Sequence, residues 1–176
     1  MNKNNKGFML VEVIITSTVI ATAMVSLYST FNKLYTSYNQ KTTYHNIDSI
    51  FATKITINYL LDNNFNSFIN NTFATSQYKI LIDDTTCFNN NDICNAIKST
   101  YKVNKMIIAE YNKSIIESLK NTAINQTFKE YIDYVIGYYG IEQSDNKYNY
   151  IILTEIKDGD NYYYANLGIE WYNEIK

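Results

Sequence analysis

Proline and arginine are absent from this 176-residue chain, histidine occurs once, cysteine twice and glycine five times. Those gaps close off several chemistries. With glycines only at 7, 137, 140, 159 and 168, no glycine-rich loop is available to cradle a phosphate. One histidine, His45, and two cysteines separated by six residues supply neither a zinc site nor a CxxC redox pair. No nucleophile–base constellation with motif support forms around His45. Neither enzymatic activity nor a cofactor is expected. The net charge of −2 points to neither nucleic acid nor an anionic membrane surface as a partner. All fifteen basic residues are lysine, and together with abundant Asn, Ile and Tyr this suggests an AT-rich coding sequence rather than a physical requirement. The eighteen tyrosines suit strands and adhesive surfaces, because each joins an apolar body to a polar tip.

What is present lies mostly at the start. Residues 8–31 form a 24-residue run with 16 apolar side chains and a single charge, Glu12. At about 1.5 Å per residue a helix of that length reaches roughly 36 Å, enough for a hydrocarbon core of about 30 Å with some tilt. A carboxylate near the centre of a span costs roughly 2.5 kcal/mol or more, so Glu12 calls for a reason. Lys3 and Lys6 flank the run on its N-terminal side, which by the positive-inside bias keeps that end cytoplasmic and sends the remainder outward. One reading is a one-pass anchor in which Glu12 snorkels or is protonated. Another is a secretory signal cut at Ala21-Thr22-Ala23, which has the A-x-A form. Glu12 inside the apolar region argues against the latter, as do Met24, Val25, Leu27, Tyr28 and Phe31 beyond the cut.

A third reading comes from the motif itself. Lys6-Gly7-Phe8, with Glu12 at the fifth position after the glycine, resembles the class III signal of type IV prepilins. The resemblance covers about the first 30 residues. It implies that a prepilin peptidase cuts between Gly7 and Phe8, that residues 1–7 are a leader, and that the new Phe8 amine is N-methylated. It makes Glu12 the acidic residue used in assembly, pairing with the Phe8 amine of a neighbouring subunit. Breaking a buried pair of that kind costs on the order of 3–5 kcal/mol, so Glu12 would set the register between subunits. The implied partners are other pilin or pseudopilin subunits, the peptidase and the membrane, with no direct nucleic-acid binding expected. The implied location is the cell membrane, spanned once with the N-terminus cytoplasmic and the head extracytoplasmic, and then a surface or envelope filament. Type IV pilins often carry a proline in mid-span; its absence here leans toward a minor pilin or pseudopilin, of a pilus, a competence filament or a type II secretion filament. The competing function is a single-pass membrane-anchored binding or adhesion module that never polymerises.

The rest of the chain predicts an α+β, pilin-like architecture: a long N-terminal helix packed on a small antiparallel sheet. With no glycine or proline between Phe8 and Ile136, the helix is expected to run to about Leu61. Leu27, Phe31, Leu34, Tyr38, Tyr44, Ile47, Phe51 and Ile55 mark its apolar side, softened around Thr42 and Thr43. The expected divisions are a span at 8–31, an amphipathic continuation at 32–61 and a head at 62–176. In the head, 62–76 reads as loop with a short helix and 77–83 as a strand. Helical spacing at Ile107, Tyr111, Ile115, Leu119 and Phe128 predicts a helix over 104–128. Segments 131–139, 148–156 and 161–171 read as strands, the last two joined by a hairpin at Asp158-Gly159. Cys87 and Cys94, outside the membrane, are expected to form a disulfide. Asp158, Asp160 and Asn161 offer oxygens to a calcium ion of the kind major type II pseudopilins hold in a C-terminal loop, as do Asp83 and Asp84 more weakly. Calcium needs six to eight ligands, and a plain turn is the preferred reading.

Overall fold

The computed structural model describes residues 5–62, 65–88, 91–122, 125–141 and 148–170. The first helix, α1 (Asn5–Tyr44), gives way to a second, α2 (Ile47–Asp62), across His45 and Asn46. Neither glycine nor proline makes the break. Asn46 does: its side-chain oxygen accepts from the Ser49 amide at 3.1 Å, the geometry of an N-cap, which starts a new helix rather than continuing the old one. Its own amide donates to the Tyr164 carbonyl at 3.0 Å, so the cap is fastened to a strand. The helix expected to run unbroken to Leu61 is therefore two helices. By its contacts the chain divides after Gln40, into residues 1–40 and 41–176. Helix α2 lies within the second of these units, the head.

The head is α+β. Its sheet is antiparallel, in the order β1 (Tyr78–Ile82), β2 (Val103–Glu110), β3 (Tyr150–Asp158), β4 (Asn161–Ile169). Helices α3 (Phe65–Phe73) and α4 (Asn91–Tyr101) precede and follow β1. Helix α5 (Lys113–Ser118), a 3-10 turn (Leu119–Thr122) and α6 (Gln126–Tyr139) link β2 to β3. One apolar cluster joins α2, α3 and α4 to one face of the sheet through Met106, Ile108, Ile152 and Ile156. A second joins α5 and α6 to the other face through Ile107, Ala109, Ile151, Leu153 and Tyr164. A sheet covered on both sides explains why six consecutive residues of β3, Ile151 to Ile156, are buried. Each large apolar side chain removed from water there contributes about 1.5–3 kcal/mol.

Two expectations exchange places in the middle of the chain. The segment expected to be helical begins as β2, and the segment expected to be the strand 131–139 is α6. Ile107, Tyr111, Ile115 and Leu119 are four apart, but Ile107 lies in a strand and only Ile115 in a regular helix. β-Branched and aromatic residues in α6 favour a strand by composition, yet its ends are helical signals. Asn125 caps it, accepting from the Phe128 amide at 2.6 Å, and Gly140 ends it with φ +55°. Phe128, Tyr131, Ile132 and Val135, spaced three and four apart, form its buried face. The final hairpin is as expected: Gly159 has φ +61° at the first of two central positions, the pattern of a type II′ turn.

The buried side of α2 is not the one its large residues mark. Ser49, Ala52, Thr53 and Thr56 are buried against the sheet together with Ile57 and Leu60. Small side chains bring the helix close, and the Thr53 and Thr154 hydroxyls hydrogen-bond across the contact at 2.6 Å. Ile47, Phe51 and Ile55 remain 67 %, 52 % and 38 % exposed.

The cap makes a direct prediction. Asn46→Ala should destabilise the folded chain by about 1 kcal/mol while Asn46→Asp retains most of the stability, measured by urea unfolding followed by circular dichroism.

Candidate functional site: the N-terminal helix

Within residues 1–40 the described chain is one helix, and its large apolar side chains are exposed. Met9, Leu10, Val13, Ile14, Ile20 and Met24 are each more than half exposed. It is the one helix among the described residues long and apolar enough, by length and composition, to cross a membrane. Gly7 and Phe8 lie on its first turn; Met1 to Asn4 of the expected leader fall outside the described residues. Glu12 follows about two turns into the helix, exposed among apolar neighbours. Several hydroxyls along α1 turn back onto their own backbone: Thr16 donates to the Glu12 carbonyl, and Thr18, Thr22, Thr30 and Thr36 donate in the same way four residues back. Such bonds lower the cost of placing a hydroxyl in an apolar medium. The Glu12 carboxylate is different, since a charge in that medium needs a partner.

The expected Cys87–Cys94 disulfide is present, with its Cα atoms 5.9 Å apart. Cys94 is buried on α4, while Cys87 forms a β-bridge with Ile82 at the end of β1. The bond clips the β1–α4 connection to the sheet. Closing so short a ring contributes roughly 2.5 kcal/mol in the chain-entropy account.

The head also holds a polar cleft of about 380 Å³, lined by Asp83, Asn104, Lys105, Asn125, Glu155 and Tyr162 among others. At its floor Glu155, only 2 % exposed on the central strand β3, accepts from the amides of Asn104 at 2.5 Å and Asn125 at 3.0 Å. Asn125 is the cap of α6, so this carboxylate holds a helix start against the sheet. The Lys105 ammonium donates to the Thr122 carbonyl. Burial lowers its pKa, against the opposing pull of Glu155 and Asp83. Burial raises the Asp83 pKa, but the amides of Thr85 and Thr86, at 2.8 and 2.6 Å, outweigh it and leave the pKa lowered. These groups hold one another and the chain around them; they present no paired acid and base. Glu155 had a signal in the sequence, a lone acid in the Tyr150–Ile156 apolar run, but its partners lie 51 and 30 residues away.

Asp158 pairs with the Lys102 ammonium at 2.6 Å, and among the described residues no group of three His, Cys, Asp or Glu is placed to hold a metal. His45 sits where α1 ends. Its Nε2 lies 2.9 Å from the Tyr134 hydroxyl, and its ring meets the edges of Tyr134 and Tyr138. No protein-family description, curated protein or solved structure matches the chain.

Burial, and then the nearby Lys41 charge, lower the His45 pKa below its ordinary value. A histidine lowered in the folded state favours folding while neutral. Its contribution is therefore complete above the unfolded pKa of about 6.5 and is lost as pH falls through the folded value. Unfolding measured between pH 7.5 and 5 should show stability declining over that window, and His45→Gln should flatten this part of the profile.

Proposed function

We propose that the chain is a structural subunit, a minor pilin or pseudopilin, of a type IV pilus-like, competence or type II secretion-like filament. A prepilin peptidase removes residues 1–7 after Gly7, and the chain is held in the membrane by residues 8–31 until it is drawn into the filament. Its pilin-like fold consists of the span, the helical continuation and the sheet-bearing head. The observation that carries this reading is Glu12 on an otherwise apolar, unpacked helix directly after Lys6-Gly7-Phe8. A peptidase cut there leaves a positive amine one turn from the carboxylate, and each supplies the partner that the other needs in an apolar core.

Exposed apolar residues on the head support polymerisation over a solitary anchor. Residues 8–31 already suffice for a bilayer, yet Ile47, Phe51 and Ile55 on α2 also remain exposed. Clustered apolar surface outside lipid marks a protein contact. In the polar cleft Asp83, Lys105 and Glu155 are engaged in holding the head together.

Glu12 separates the two functions experimentally. Glu12→Ala should insert into the membrane as well as the parent chain or better, while incorporation into filaments falls about 100-fold or more, corresponding to the loss of roughly 3 kcal/mol from a buried pair. Fractionation of membranes and sheared filaments measures both. Undiminished assembly of the variant would remove the reading.

A further inference from the structure

We propose that the head closes a covalent bond within itself: an isopeptide (amide) link between the Lys105 side-chain nitrogen and the side-chain carbonyl carbon of Asn125, with Glu155 carrying the proton. The link lies wholly within the head and does not depend on the filament role. The groups of the polar cleft offer no acid–base pair to an outside substrate because they face one another. That same arrangement sets an amine, an amide and a carboxylate side by side in a cleft of about 380 Å³.

Lys105 on β2 and Glu155 on β3 are directly opposed in the antiparallel ladder. Opposed residues share one face of a sheet, with Cβ atoms about 4.5–5.5 Å apart. Here it is the face covered by α5 and α6, where Ile107 and Leu153 are buried. Asn125 meets that face from the start of α6, its amide nitrogen donating to Glu155 at 3.0 Å. Its side-chain oxygen accepts from the Phe128 amide at 2.6 Å and from the Thr127 hydroxyl at 2.9 Å. Two donors on that oxygen draw electrons from the carbon and stabilise the negative charge that an attacking amine places there. Asn104 also donates to Glu155, at 2.5 Å, but among the described residues no donor reaches its side-chain oxygen, so Asn125 is the activated amide. The Lys105 nitrogen rests on the Thr122 carbonyl, three residues before Asn125, and 5.6 Å from the centre of the Phe128 ring. Its flexible four-carbon stem lets it swing from Thr122 to Asn125. Burial lowers the Lys105 pKa against the pull of Glu155 and Asp83, which favours the neutral, nucleophilic amine.

The neutral amine attacks the Asn125 side-chain carbon and forms the new C–N bond. Glu155 takes a proton from the attacking nitrogen and delivers one to the departing nitrogen, which leaves as ammonia. Glu155 ends as it began, and nothing is oxidised or reduced. The Asn125 oxygen is retained, so the cap of α6 survives the reaction. The product ties β2 to the start of α6 around the segment that carries α5, as Cys87–Cys94 ties β1 to α4.

The test is the intact mass and tryptic map of the full chain, extracted in detergent, denatured, and with its disulfide reduced and alkylated. The chain should be lighter by one ammonia than its N-terminus and sequence dictate, resist cleavage after Lys105, and yield a branched peptide joining Lys105 to Asn125. Asn125→Asp keeps a capping side chain and should reach the same final mass, losing water in place of ammonia. Glu155→Gln, with native circular dichroism confirmed, should keep its full sequence mass. A parent chain of full mass that is cleaved after Lys105 would overturn the link. An ammonia loss mapped to any other pair of residues would overturn it as well. A folded Glu155→Gln that still forms the bond would overturn Glu155 as the proton carrier. Should that variant not fold, the parent and Asn125→Asp masses and maps still decide the bond.

Discussion

On the proposed reading Glu12 is a carboxylate on a membrane-spanning helix, which has to find its counter-charge on another molecule and places the rest of α1 under that requirement. In a bilayer an unpaired charge costs several kcal/mol by the mildest scales, and in a packed filament core it costs at least as much. A chain that only needed an anchor would gain by replacing it. The neighbouring hydroxyls cannot relieve the need, because they donate to their own helix. In the proposed filament, pairing between subunits turns the cost into a specification, since only a stagger that brings an amine to Glu12 is satisfied. The exposed apolar residues then supply contact area without having to define register.

The head meets a separate demand: to fold stably while presenting α2 on its outside. Its sheet is covered by helices on both faces, and the starts of α2 and α6 are fixed to strands by asparagines. Asn46 ties α2 to β4 through the Tyr164 carbonyl, and Asn125 ties α6 to β3 through Glu155. Tyr164 also stacks on Tyr131 with ring centroids 4.6 Å apart, and Tyr44, in the last turn of α1, packs on both. Several of the tyrosines that suggested an adhesive surface are thus core residues joined through their rings.

Signals that are local, or that repeat over many residues, were legible in the sequence. The length and apolarity of α1, the Asp158-Gly159 hairpin, β1 and the Cys87–Cys94 bond all belong to this group. Signals settled by distant partners were not. Composition favoured a strand at 131–139, where Asn125 and Gly140 close a helix. Four-residue steps from Ile107 favoured a helix where β2 pairs with both β1 and β3. On α2 the conspicuous Ile47, Phe51 and Ile55 drew attention away from Ser49, Ala52 and Thr53, which are the residues buried against the sheet. Glu155 looked like any strand acid until the fold brought Asn104 and Asn125 to it. For the proposed filament role, Gly7, Phe8 and Glu12 were legible because a processing signal is read as a linear motif.

The account turns on where the mature chain begins. The most direct measurement is the intact mass and N-terminal sequence of the membrane-extracted protein, produced with and without a prepilin peptidase. The account predicts a chain that lacks Met1–Gly7 and starts at a free or methylated Phe8 only when the peptidase is present. A chain that keeps its leader under both conditions, or that starts after Ala23, would contradict it.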